Sequence, residues 1–231
     1  MSLEVKKSIK RYLPKIIFWT IVVILTALLI KVALWEKHYY ESKEGSEREA
    51  PTLLGDVISS DEEVSTDEVT VEEVKAYTVA PDKPRYLSIE RLGIVNARIV
   101  EVGVNKKGQM GTPRSIYDAA WYNKSSLPGS GGTAILDGHN GGPNVKGIFK
   151  QLNLLRTGDI ISIEMGDGTV YQYKVYDNFE VPLSEANSKM SMLQTSPIEG
   201  TESISIISCI GEYSLKQKTY LSRQFLRATR I

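Results

Sequence analysis

The chain has 231 residues, 42% of them hydrophobic, and its 28 basic and 28 acidic side chains give a formal net charge of zero. Nucleic acid is not suggested, since residues 81–231 show no basic run, and the apolar content is that of a folded protein rather than a disordered one. One cysteine and two histidines exclude an internal disulfide framework and make a poor ligand set for a structural zinc.

The zero total hides an uneven division: the start is basic, the middle acidic and the remainder weakly basic, which points to pieces with different surroundings. Residues 1–15 carry Lys6, Lys7, Lys10, Arg11 and Lys15 and are predicted to be a cytoplasmic N-terminus. Ile16–Ile30 reads IIFWTIVVILTALLI without a charge. With Lys31 snorkelling, the apolar stretch reaches Trp35, about 20 residues or roughly 30 Å of helix, which spans a bilayer. Basic residues before it and acidic ones after it place everything beyond Trp35 outside the cell. No pair of small residues forms a cleavage site after it, so residues 16–35 are predicted to be an uncleaved transmembrane signal anchor. Trp35, Tyr39 and Tyr40 would sit at the outer interface, with His38 a solvated neighbour. Residues 36–80 are dominated by Glu, Asp, Ser, Thr and Val, with SSDEEVSTDEVTVEEV at their centre. High charge and low hydrophobicity do not offset the entropy of ordering, so this segment is predicted to be a disordered, extended tether.

Residues 81–231 are long enough for one core of their own. Short β-patterned runs alternate with turns: Tyr86–Ile89, Ala97–Val102, Thr133–Asp137, Asp159–Met165, Thr169–Val181, Ser203–Cys209 and Tyr220–Thr229. Gly166-Asp167-Gly168 is a hairpin signal. Short helices are expected near Gly147–Leu155 and Ser184–Leu193, the second with Ser184 as N-cap. Seven or eight strands at this spacing make a sandwich or a closed barrel.

Ser203–Tyr213, SISIISCIGEY, holds the single cysteine, Cys209, at the end of an alternating β-branched run that a glycine closes. A lone cysteine is commonly a small buried core residue. Outside the membrane it has nothing in the chain to pair with, so it is either inert or reactive. Of the two histidines, His139 in GTAILDGHNGG ends another apolar strand, and histidine is the usual partner that turns a thiol into a thiolate. The last strand, YLSRQFLRATRI, offers Arg223, Arg227 and Arg230, and a guanidinium can donate to a developing oxyanion. Residues i and i+2 of a strand share a face, so Asp137 could lie near His139 and favour the charged imidazole, although pointing at solvent or capping the adjacent turn is the more common fate of such an aspartate.

The order His, Cys, Arg at strand ends, within PRYLSIERLGIVNARIVEVGV, AAWYNKSSLPGSGGTAILDGHN, GIFKQLNLLRTGDIISI, ISIISC and RQFLRA, resembles the sortases, membrane-anchored cysteine transpeptidases of bacteria. The resemblance covers nearly all of residues 84–231. It implies a mostly β fold, a closed eight-stranded barrel with short helices, preceded here by one transmembrane helix. It assigns Cys209 as nucleophile, His139 as acid/base and Arg223, rather than Arg227, as the essential arginine. It implies an extended L-P-x-T-G-like sorting signal cleaved between Thr and Gly through a thioacyl enzyme, the partners being proteins that carry the signal. The acceptor would be an amine from a peptidoglycan precursor or a pilin lysine. No cofactor is expected; Glu185, Glu199 and Glu202 are too scattered to suggest the calcium site of some sortases.

Two departures stand out. The usual T-L-x-T-C strand reads Ser205-Ile206-Ile207-Ser208-Cys209, and the usual small residue two before the histidine is Asp137. The opening W-Y…P-G…G-T-A-I-L-x-G-H looks closest to the single-domain class E or F type, and the absence of a second apolar span after Arg230 agrees with that expectation. The alternative is a membrane-tethered β-domain for adhesion or scaffolding, with Cys209 buried and without catalysis.

Overall fold

Eight strands close into a barrel: β1 (Pro84–Ile89), β2 (Ile94–Val102), β3 (Ala119–Tyr122), β4 (Thr133–Gly138), β5 (Ile160–Met165), β6 (Val170–Pro182), β7 (Ser203–Ser214) and β8 (Thr219–Arg230). Around the barrel they run β1-β2-β3-β4-β7-β8-β6-β5. The computed structural model describes residues 64–104, 109–141 and 145–231, together with Thr26 and Lys31 within a helix. The chain divides into two units, Met1–Glu49 and Ala50–Ile231, and the barrel belongs to the second. The predicted anchor, His38 and the first part of the predicted tether lie outside the described residues. Among the described residues no helix is long and apolar enough to cross a membrane.

Most neighbouring strands are antiparallel, but β2 with β3 and β4 with β7 are parallel. Parallel neighbours need long connections, and it is these connections that carry the functional loops. The hairpin signal at Gly166-Asp167-Gly168 joins β5 to β6, with Gly168 at φ +87 and Met165 N donating to Thr169 O at 2.8 Å. β3, Ala-Ala-Trp-Tyr, is too short and too poor in β-branched residues to show in the sequence pattern.

Both faces of the central strands are buried, and strict alternation sorts their side chains. Ala134, Leu136, Ile204, Ile206, Leu226 and Ala228 point into the barrel core. Ile135, Ile207 and Phe225 point outward into a second apolar cluster with Met110, Val181, Ala186, Met190 and Leu193. Each fully buried aliphatic or aromatic side chain contributes roughly 1.5–3 kcal/mol. The lid over this outer face is a helix between β6 and β7 (Leu183–Lys189), followed by a tight 3-10 turn, Met190–Leu193. Ser184 is not the N-cap. Pro182 holds that position without a side-chain hydrogen bond, because β6 runs straight into the helix. Near Gly147–Leu155 only turns and a 3-10 segment, Leu152–Leu154, form.

A register shift in β6 between Val175 and Asp177 changes which residues face out. Before it Tyr173 and Val175 face the core; after it Phe179 and Val181 join the outer cluster, as expected of a bulge that breaks the alternation.

The second part of the predicted tether is ordered. A helix, Val71–Ala76, starts with a capping box in which Thr70 and Glu73 satisfy each other's backbone N–H groups, worth about 1 kcal/mol. Tyr77 donates its hydroxyl to Ile99 O at 2.6 Å, Arg85 Nε donates to Tyr77 O at 2.8 Å, and the Tyr86 hydroxyl donates to Val74 O. Upstream, Ser65 pairs with Ser115. Acidic composition alone argues for disorder there; the cap and the tyrosine anchors oppose it.

Candidate active site

Cys209 is not at the end of its strand. β7 continues to Ser214, its register with β8 shifts between Ile210 and Tyr213, and Gly211 at φ +84 absorbs the irregularity. Cys209 is partly exposed and follows Ile207 on the outer face by two residues. Directly opposite it on β8 is Arg223, two residues from Phe225 and therefore on the same face. Cross-strand partners of this kind hold their Cβ atoms about 4.5–5.5 Å apart. The structure thus sets Cys209 and Arg223 directly opposite each other on one face of the sheet.

Arg223 is 1% exposed. Its Nη1 donates to Tyr220 O at 2.8 Å and Ser222 O at 3.0 Å, and its Nη2 to Thr219 Oγ1 at 3.2 Å. These bonds fix the orientation of the fork. The other two arginines of β8 are committed to carboxylates. Arg227 forms a two-pronged pair with Asp177, with Nε to Oδ1 at 3.0 Å, and Arg230 reaches Glu202 at 3.2 Å. Glu202 also accepts from Gly129 N, Gly131 N and the Tyr173 hydroxyl, so it braces the loop before β4.

His139 follows the last residue of β4. Three constraints place it. Gly138 has no room for a side chain, since a Cβ there would lie 2.5 Å from the Phe149 ring. Ser208, one residue before the cysteine and 1% exposed, donates to Gly138 O at 2.8 Å. The chain after His139 folds back tightly, with Phe149 N donating to His139 O and Gly147 N to Asn140 O, both at 3.0 Å. Tyr220 donates its hydroxyl to Gly141 O at 2.9 Å, linking the start of β8 to this loop.

The His139 ring is held by a partner that residue types do not reveal: Nε2 lies 2.7 Å from Pro113 O. A carbonyl only accepts, so Nε2 carries the proton and Nδ1 keeps its lone pair. The segment bearing Pro113 is itself pinned. Ser65 N donates to Arg114 O at 2.9 Å, Ile116 N to Ser65 O at 3.1 Å, and Ile148 N to Ile116 O at 2.8 Å. Beyond it, Arg98 grips Asp118 with two bonds of 2.9 Å. Among the described residues no hydrogen bond joins His139 to Cys209.

The electrostatics favour neutral groups at rest. Burial pushes the Cys209 thiol up to about 11, against the pull of the Arg223 guanidinium, and the Asp137 carboxylate adds to the rise. Burial also lowers the His139 imidazole below its ordinary value, with the Pro113 carbonyl opposing. Asp137 is 3% exposed, so it does not point at solvent.

A β-barrel with Cys209 opposite Arg223 on its outer face, and His139 just past the end of the adjoining strand, carries the groups that thiol acyl transfer uses. The family description "Sortase domain" matches residues 87–231. The chain belongs to the sortase family, the cysteine transpeptidases. Comparison by sequence with curated proteins finds no match. Among solved structures, it is similar to the pilus-related sortase C of Group B Streptococcus, at 18% identity and TM-score 0.50, over 77% of this chain and 79% of that one. It is also similar to a lid mutant of sortase A from Corynebacterium diphtheriae, at 22% identity and TM-score 0.48, over 65% and 70% of the two chains.

Proposed function

We propose that this sortase cleaves an L-P-x-T-G-like sorting signal between Thr and Gly and transfers the new C-terminus to an amine, with Cys209 as nucleophile, His139 as acid/base and Arg223 as the oxyanion or backbone clamp. The observation that carries the assignment is the β7–β8 register, which sets Cys209 opposite Arg223 while Arg227 is occupied by Asp177.

In this mechanism the Cys209 proton passes to His139 and the thiolate attacks the Thr carbonyl carbon. Arg223 donates to the oxygen as it gains charge. Collapse forms the thioester, breaks the Thr–Gly amide and releases the glycine amine, which takes the proton from His139. An acceptor amine then attacks the thioester and gives up a proton to His139, and the proton returns to sulfur as the new amide leaves. Transient deprotonation in a dry site suits a thiol that is neutral at rest.

The acceptor is a peptidoglycan-precursor amine or a pilin lysine, and the enzyme works outside the cell from a single N-terminal span at residues 16–35. The single-domain class E or F type remains the assignment the sequence favours. Incubating the full chain with L-P-x-T-G and L-A-x-T-G peptides, followed by intact mass spectrometry, tests the chemistry. A thioester on Cys209, absent in Cys209→Ala and His139→Ala, is expected. Rapid iodoacetamide labelling of Cys209 with no acylation by either peptide would refute the assigned signal while leaving a reactive thiol.

A further inference from the structure

Asp137 is a carboxylate where the fold has little reason to put one. It is 3% exposed and shares the outer face of β4 with Ile135, beside Ile207 of β7. A buried carboxylate is costly unless paired or used. Its neighbours along the sheet are informative. Asp137 pairs with Ile207 across a parallel ladder, and Cys209 is the next residue of β7 on that same face, a diagonal neighbour. Arg223 is the residue beyond Cys209 on β8. Carboxylate, thiol and guanidinium therefore form a row across three adjacent strands.

We propose that Asp137 tunes the ionisation of Cys209: as a carboxylate it opposes Arg223 and adds to the effect of burial in keeping the thiol protonated, and on taking a proton it leaves the thiol's state to burial and the field of Arg223. Asp137 is thus a positioning residue for charge rather than a reacting group. Burial pushes its carboxyl up to about 7, against the Gly138 amide and the Arg223 guanidinium, so the change falls near neutrality.

The other charged and titratable groups around this row are accounted for. His139 continues β4. On β3, Tyr122 and Asp118 flank Ala120, the residue opposite Asp137, and Asp118 is held by Arg98. On β8, Arg227 is paired with Asp177, and Tyr220 lies near Cys209. The helical lid contributes Ala186, Met190 and Leu193 to this face, while its Glu185 and Lys189 pair with each other at 2.7 Å. A purely structural role, accepting from the Gly138 amide, would be filled equally well by the side-chain oxygen of asparagine.

The proposal gives the nucleophile of the proposed function a pH response, and its test needs no sorting signal, so failure of peptide acylation and failure of the proposal are told apart. Iodoacetamide labelling of the full chain, whose only cysteine is Cys209, is followed from pH 5.5 to 9.5. In the wild type, log rate should rise with pH less steeply than a single thiol ionisation through the neutral range, because each Asp137 that ionises disfavours the thiolate. Asp137→Asn should restore the single-ionisation slope and label faster at pH 8 by about tenfold or more. Wild-type rates and slope in Asp137→Asn, or slower labelling, would overturn the proposal. If that variant does not fold, the carboxyl of Asp137 is titrated in the wild-type protein by carbon-13 NMR. The wild-type labelling slope should break at the carboxyl's own midpoint; a slope with no break there, or a midpoint in the ordinary aspartate range, overturns the proposal.

Discussion

Replacing Arg223 by methionine keeps the length and apolar character of the stem and removes the charge facing Cys209. With the two side chains on directly opposed residues of β7 and β8, a sulfur-to-guanidinium separation of about 6 Å and an effective dielectric of about 20 give roughly 3 kcal/mol of attraction for the thiolate. That corresponds to about 2 pK units, or about a hundredfold in thiolate at a fixed pH below the midpoint. Arg223→Met is therefore expected to slow iodoacetamide labelling of Cys209 at pH 8 by about a hundredfold, opposite in sign to the effect of Asp137→Asn. It also strips donors from Tyr220 O and Ser222 O, costing about 1–3 kcal/mol of stability for each acceptor left dry. Circular dichroism at the labelling temperature must therefore show a folded protein. Arg227→Met is the control: it breaks a pair with Asp177 further along β8 and should leave the labelling rate within about twofold of wild type. Equal slowing in both variants, or no slowing in Arg223→Met, would refute the assignment of Arg223 as the cation that serves the thiol.

Gly147→Ala would place a Cβ 2.3 Å from His139 O and 2.6 Å from Gly141 N. Backbone on both sides leaves nowhere to give, so a drop in melting temperature and loss of peptide acylation are expected, with Cys209 still labelled by iodoacetamide. His139 has a lowered pKa because it is buried, so its contribution to stability is complete above the unfolded value near 6.5 and is lost as pH falls through the folded value. The stability advantage of wild type over His139→Gln should shrink as pH drops below about 6.5, measured by urea unfolding; a constant difference would contradict the burial argument. Thr70→Ala removes one half of the capping box and should cost about 1 kcal/mol of local stability. Hydrogen exchange at Val71–Ala76 should rise in that variant while β7 and β8 stay protected.

The strand pattern, the Gly-Asp-Gly hairpin and the identity of Cys209, His139 and Arg223 as candidates were legible because each leaves a local mark: alternation of apolar residues, a residue that tolerates positive φ, a rare side chain at an apolar strand. β3 left no such mark, since Ala119 and Ala120 are strand residues only because β2 and β4 flank them. The length of β7 beyond Cys209 was also hidden, because a glycine that reads as a strand's end instead serves as a bulge within it. Composition misjudged residues 64–80, where two tyrosine hydroxyls and a cap order an acidic stretch.

The sequence by itself determined a mostly β domain, the division of the chain by charge, and which few side chains were chemically capable, while the closed barrel rather than a sandwich came with the family resemblance. Only the tertiary structure decided which of them meet. Register across β4, β7 and β8 set Arg223 rather than Arg227 opposite Cys209 and put Asp137 on the face that Cys209 shares. It also supplied the Pro113 carbonyl that fixes the imidazole tautomer. Such relations follow from hydrogen-bonded register between strands distant in sequence, and backbone acceptors are common to every residue, so neither is written in the side chains one at a time.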